Sequence, residues 1–109
     1  DKGGPLMTLP ELKNKLTVTG FPVTYRAWPE RKAPPLPFIC YLCTDDDSLF
    51  ADGLVYYSFS NVRVELYIPY KDPEAEAKVE AALSGFHWKK SETYIASERC
   101  YMILYEIEV

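Results

Sequence analysis

Four aliphatic side chains, Val62, Val64, Leu66 and Ile68, alternate with Asn61, Arg63, Glu65 and Tyr67, and Pro69 ends the run. A strict period of two puts each set on its own face of a strand, one face wholly apolar. The closing proline lacks a ladder donor and stops the pairing. The chain ends on a second run of this kind, with Tyr101, Ile103, Tyr105 and Ile107 on one face and Glu106 and Glu108 opposite. Such strands cannot bury their apolar faces alone, so the chain must build a sheet with a layer over it.

The covering layer is legible in two short helices. Thr8-Leu9-Pro10-Glu11 has a capping threonine, a first-turn proline and a glutamate three residues after the cap, a capping-box start. Leu9, Leu12 and Leu16 fall on one helical face and Gly20 supplies a stop, so the helix is expected over about 9–19. Asp72-Pro73-Glu74 opens the second, whose stripe is Ala75, Val79, Ala82 and Leu83 and whose stop is Gly85. Glu74 and Lys78 are spaced for an i,i+4 pair. Phe21–Ala27 alternates weakly and reads as a short strand. Phe38–Cys43 is a compact apolar run, a buried strand. Leu54–Ile68 is the longest strand candidate, with a bend expected between Ser58 and Asn61 because fifteen residues exceed the usual strand. His87–Ile95 and Cys100–Val109 form a hairpin over Ala96–Arg99. Pro29, Pro34, Pro35 and Pro37 crowd a surface loop or arm.

Helix, strands, helix, two strands with short turns imply an α+β domain: a single twisted antiparallel β-sheet with two α-helices packed on one face. At 109 residues one domain is expected. Asp1–Leu6 reads as an expression-tag remnant, Met7 as a natural start without a signal peptide, and residues 7–109 as the domain. The 48% hydrophobic and 26% charged content excludes wholesale disorder. No apolar run approaches the roughly 20 residues of a membrane-spanning helix. The net charge of −4 and the scatter of Arg26, Arg31, Lys32, Lys89 and Lys90 argue against a nucleic-acid surface.

Cys40-Tyr41-Leu42-Cys43 has C-x-x-C spacing. A redox pair sits at a turn opening a helix. On a strand, residues three apart point to opposite faces, so these sulfurs are not expected to meet. Three cysteines are an odd number and fit no secreted disulfide framework, so synthesis in a reducing compartment is expected. Zinc would have to draw on Cys40, Cys43, Cys100 and the lone His87 from distant strands. His87 reads as a structural residue at a sheet edge, and no nucleophile elbow accompanies it. Asp45, Asp46, Asp47 and Asp52 form the densest carboxylate cluster, but Leu49, Phe50 and Ala51 stand where a calcium loop needs ligands. Asp45, Asp46 and Asp47 remain weak candidates for a divalent cation or a charged partner contact. No cofactor motif is present.

Apolar side chains fall on both faces of the expected strands: Val55, Tyr57 and Phe59 beside Leu54 and Tyr56, and Met102 and Leu104 opposite Tyr101 and Ile103. Two short helices cover one face only. Either the sheet curls on itself, or the second face is a protein–protein contact, where aromatic residues are enriched.

Several segments together carry a resemblance. They are Leu9-Pro10-Glu11-Leu12, Pro22-Val23-Thr24-Tyr25-Arg26, Pro34-Pro35-Leu36-Pro37-Phe38-Ile39, Phe50-Ala51-Asp52-Gly53-Leu54-Val55-Tyr56, Val64-Glu65-Leu66-Tyr67, Lys71-Asp72-Pro73-Glu74-Ala75-Glu76-Ala77-Lys78-Val79-Glu80 and Tyr105-Glu106-Ile107-Glu108-Val109. Over Met7–Val109 the chain resembles the small tail-completion proteins at the neck of long-tailed phages (siphoviruses) and prophages of Gram-positive bacteria. The resemblance implies a tail terminator, a virion structural protein that forms a ring, usually of six subunits. Such a ring caps the tail tube, stops polymerisation of the major tail protein and meets the head-completion protein. It implies an α+β fold, no catalytic residue, synthesis in the host cytoplasm and a place at the tail–head junction of the virion. The resemblance further implies subunit contacts through loops and sheet edges, which here correspond to Arg26–Pro37 and Thr44–Asp52. With the exposed sheet aromatics, this makes Arg26, Trp28, Arg31, Phe50, Tyr57 and Phe59 the candidate interface. A head-closure or head–tail adaptor protein of the same neck is the alternative, and a small thiol redox enzyme built on Cys40 and Cys43 the remote one.

Overall fold

The computed structural model describes residues 9–28, 33–43 and 61–108. The order is α1 (Leu9–Thr17), β1 (Val23–Tyr25), β2 (Phe38–Cys43), β3 (Asn61–Ile68), α2 (Pro73–Ala82), β4 (His87–Ile95) and β5 (Cys100–Glu108). Among the described residues five strands make one sheet in the order β1-β2-β3-β5-β4, which with two helices gives an α+β fold.

The sheet is mixed rather than purely antiparallel. β2–β3, β3–β5 and β5–β4 are antiparallel, but β1 runs parallel to β2, with Val23, Thr24 and Tyr25 opposite Ile39, Cys40 and Tyr41. The expectation of antiparallel neighbours rests on short turns. Residues 26–37 are a long, proline-rich connection, and a connection of about a dozen residues is what a parallel crossover needs.

Register sorts the side chains into two faces. On one, the core face, Ile39, Tyr41 and Cys43 stand opposite Leu66, Val64 and Val62, which in turn face Ile103, Tyr105 and Ile107. These nine residues are buried in one cluster with Leu12 and Leu16 of α1, Ala75 and Val79 of α2 and Leu83 just beyond it. Fully burying such a side chain is worth roughly 1.5–3 kcal/mol, which holds helices of nine and ten residues that would be marginal alone.

α1 stops at Thr17, two residues short of the expected end. Thr19 and Gly20 donate to the carbonyls of Leu16 and Thr17 in a tightened last turn, and Gly20 takes φ +89°, a left-handed conformation that glycine adopts without steric cost. α2 begins as its sequence demands. The Asp72 side chain accepts from the Ala75 N–H at 3.2 Å and Pro73 fills the first turn. β3 starts at Asn61, and residues 54–60 of the longer strand expected there lie outside the described residues, as do residues 1–8 with the capping threonine and the suspected tag.

An ion network ties α2 to β4. Glu76, almost wholly buried, holds Lys90 at 2.6 Å and Lys71 at 3.0 Å. Glu80 holds Lys90 at 2.7 Å and accepts from the Tyr105 hydroxyl at 2.8 Å, and Lys71 also pairs with Glu92. Burial pushes the Glu76 carboxyl up, but its hydrogen bonds to Lys90 and Lys71 outweigh that and leave it below the usual glutamate range.

Candidate functional site

The other face of the sheet, the outer face, shares no residue with the cluster that includes the helices. Its side chains form three cross-strand rows. Phe38, Tyr67, Met102 and Thr93 make the first, Cys40, Glu65, Leu104 and Ser91 the second, and Leu42, Arg63, Glu106 and Lys89 the third. Phe38, Leu42, Tyr67, Met102 and Leu104 are half-buried.

Aromatic rings line one end of this face. Trp28, from the segment after β1, meets Phe38 edge-on with centroids 5.7 Å apart, and Phe38 meets Tyr67 at 5.1 Å. Both separations suit attractive aromatic pairs. The Tyr67 hydroxyl donates to Glu65 Oε1 at 2.8 Å, and Arg63 Nη2 lies 3.5 Å from Glu65 Oε2. Burial, and behind it the hydrogen bond to Glu65, raises the Tyr67 hydroxyl well above the ordinary tyrosine value, so it stays a donor. Among the described residues Trp28 Nε1 and Arg63 Nε are buried donors without an acceptor. Leaving such a donor unpaired costs about 1–3 kcal/mol. At the opposite end a groove of about 550 Å³ is lined by Arg63, His87, Lys89 and Glu106, together with Trp88 and Ile107.

Arg26 sits where β1 ends, with φ +67°, a left-handed conformation unusual for a residue with a side chain. Its N–H donates to the Tyr41 carbonyl and the Ala27 N–H to the Tyr25 carbonyl, both at 2.8 Å, closing a three-residue turn around it. The guanidinium lies 5.5 Å from the centre of the Tyr25 ring. Strain of this kind persists where surrounding structure enforces it and clusters at functional positions.

Of the six expected interface residues, Arg26 and Trp28 are therefore found at the rim of β1 and against the outer-face aromatics. Arg31, Phe50, Tyr57 and Phe59 lie outside the described residues, as do Asp45, Asp46 and Asp47. Phe38, Arg63, Glu65 and Tyr67 were not among the expected site residues. Their only signal in the sequence is the odd-numbered side of the β3 alternation, which reads as an ordinary polar face until register sets Phe38 and Cys40 beside it.

The cysteines stand apart. Cys40 lies on the outer face opposite Glu65, and Cys43 on the core face opposite Val62. All three cysteines are free and buried. Burial, and then the neighbouring Glu65 charge, pushes the Cys40 thiol up to about 11, the reverse of what a reactive thiolate needs. The four residues weighed as zinc ligands are not assembled. His87 pairs with Glu108 and Cys100 with Ile95, at opposite ends of the β4–β5 hairpin. Among the described residues no three His, Cys, Asp or Glu side chains group as metal ligands. No helix among them is long and apolar enough to cross a membrane.

The outer face thus carries an aromatic row at one end and charged side chains at the other. Comparison of the chain with protein-family models, with curated proteins and with solved structures finds no match.

Proposed function

We propose that this chain is a ring-forming tail-completion protein of a long-tailed phage or prophage. It caps the tail tube as an oligomer, expected to be hexameric, ends polymerisation of the major tail protein and forms the joint to the head-completion protein. The observation that carries the reading is the outer-face aromatic row Trp28–Phe38–Tyr67. An aromatic face of this kind, sharing no residue with the helix-bearing core, is suited to burial against another protein. The α+β fold agrees with the resemblance of residues 7–109 to tail-terminator proteins. In a closed ring every subunit joins its neighbour through two different patches, and the outer face supplies one of them.

The test is assembly with its tube. Purified protein is added to polymerising major tail protein, and tube lengths are measured by electron microscopy alongside light scattering of the free protein. Short capped tubes and a ring-sized species, roughly six monomer masses if the ring is hexameric, support the reading. Trp28→Ala and Tyr67→Ala abolish capping while the folded monomer persists. Tubes that grow unchecked count against it. Binding to the head-completion protein without capping would favour the adaptor reading.

A further inference from the structure

We propose that β4 pairs edge to edge with β4 of a second copy of this chain, antiparallel and centred on Ser91, joining two five-stranded sheets into one. Among the described residues β4 is the last strand of the sheet, and seven of its nine residues are exposed, with Trp88 and Ile95 half-buried. A free edge carries unpaired backbone donors and acceptors, and proteins usually guard it with proline, bulges, short length or charge. The other edge strand, β1, has three residues; β4 has nine, without proline or glycine.

Its charges select a partner. In an antiparallel pair related by a twofold axis through the sheet, residues on the same face must meet, so the axis passes through a residue. An axis at Lys90 or at Glu92 sets that charge against its own copy, which is destabilising. An axis at Ser91 sets Lys90 opposite the second copy's Glu92, twice, and Trp88 opposite its Tyr94, twice. On the other face Lys89 meets Thr93 and His87 meets Ile95. Lys90 already holds Glu76 and Glu80, and Glu92 already holds Lys71, so the pairing continues the α2 network across the axis. A nine-residue edge buries less than the roughly 1,200 Å² of a standard interface, so the dimer is weak and concentration-dependent. The contact is isologous and does not rest on the phage-neck reading, whose ring needs a heterologous contact.

Sedimentation equilibrium of the full chain, carried into the millimolar range, is expected to show a monomer–dimer equilibrium. Thr93 is exposed and makes no ion pair, so its variants keep the fold, checked by thermal unfolding. Thr93→Lys opposes Lys89 of the other copy and raises the dissociation constant roughly five-fold, while Thr93→Glu lowers it by a similar factor, each acting twice by symmetry. Ser91→Cys places the new thiol beside its own copy and gives a covalent dimer under mild oxidation. The native thiols are buried and do not. A monomer mass at every concentration overturns the proposal. So do Thr93→Lys and Thr93→Glu shifting the equilibrium in the same direction or not at all. A dimer that Ser91→Cys fails to cross-link overturns it as well.

Discussion

Tyr105 donates its hydroxyl hydrogen to Glu80 Oε2 at 2.8 Å, and Lys90 meets the same oxygen at 2.7 Å, so one carboxylate of α2 holds both β4 and β5. The ring itself is fully buried and meets Trp88 edge-on at 5.3 Å. Tyr105→Phe keeps the ring and loses the hydrogen bond, while Glu80 keeps Lys90. The expected cost is about 1 kcal/mol in urea unfolding. Tyr105→Ala also empties the site and costs about 3–5 kcal/mol. In a double-mutant cycle with Glu80→Ala, which removes the acceptor, Tyr105→Phe should couple by about 0.5–1 kcal/mol. Additive effects would mean the two groups do not interact.

Glu76 contributes to the acid limb of stability. Its carboxyl is held below its ordinary value, because the bonds to Lys90 and Lys71 outweigh its burial. A group whose folded pKa is depressed contributes stability above its unfolded pKa and loses it as pH falls through the folded value. Lys90 runs the other way. Burial lowers its pKa, Glu76 and Glu80 raise it further, and its contribution fades only in strong alkali. The network is therefore complete at neutral pH and fails first in acid. Glu76→Gln should cost about 1 kcal/mol at pH 7, discounted for the partly exposed lysines. It should also flatten the fall in the urea midpoint between neutral pH and pH 3. An unchanged acid slope would assign that limb to other carboxylates.

What could be read before the fold was known follows from which signals are local. β2, β3, α2, β4 and β5 are legible because each carries its own period or punctuation: the Val62–Ile68 alternation, Asp72-Pro73, the hairpin over Ala96–Arg99. The parallel seat of β1 is not, since three residues hold too little pattern to choose a neighbour or a direction. Glu76 looks like one more polar helix residue, yet it is 6% exposed, because the lysines that neutralise it stand five residues before it in the loop and fourteen after it on β4. The outer-face row escapes for the same reason. Trp28, Phe38 and Tyr67 come from three segments, and only strand register brings them together.

The thiols offer a direct check on the chemistry of the outer face. Cys40, Cys43 and Cys100 are free and buried, and burial, followed by a nearby carboxylate, raises the thiol pKa of both Cys40 and Cys100. In native protein at pH 8 a disulfide-exchange reagent should label them slowly, at the rate of local opening, and all three should react at once in denaturing urea. Rapid native labelling of Cys40 would reveal a reachable thiolate and revive the redox alternative.

Arg26 separates a demand of assembly from a demand of folding. A left-handed φ costs an ordinary residue about 1–2 kcal/mol, and glycine escapes that cost but surrenders more chain entropy on folding. Arg26→Gly and Arg26→Ala both remove the guanidinium and its contact with the Tyr25 ring, so the difference between them isolates the backbone. Arg26→Gly should be the more stable of the two by about 1 kcal/mol in urea unfolding. If the guanidinium belongs to the subunit contact, both variants should lose tube capping to the same degree despite that difference. Equal stabilities would show that the turn carries no strain at this residue. Capping that survives in both variants would remove Arg26 from the contact and leave the Trp28–Phe38–Tyr67 row to carry it.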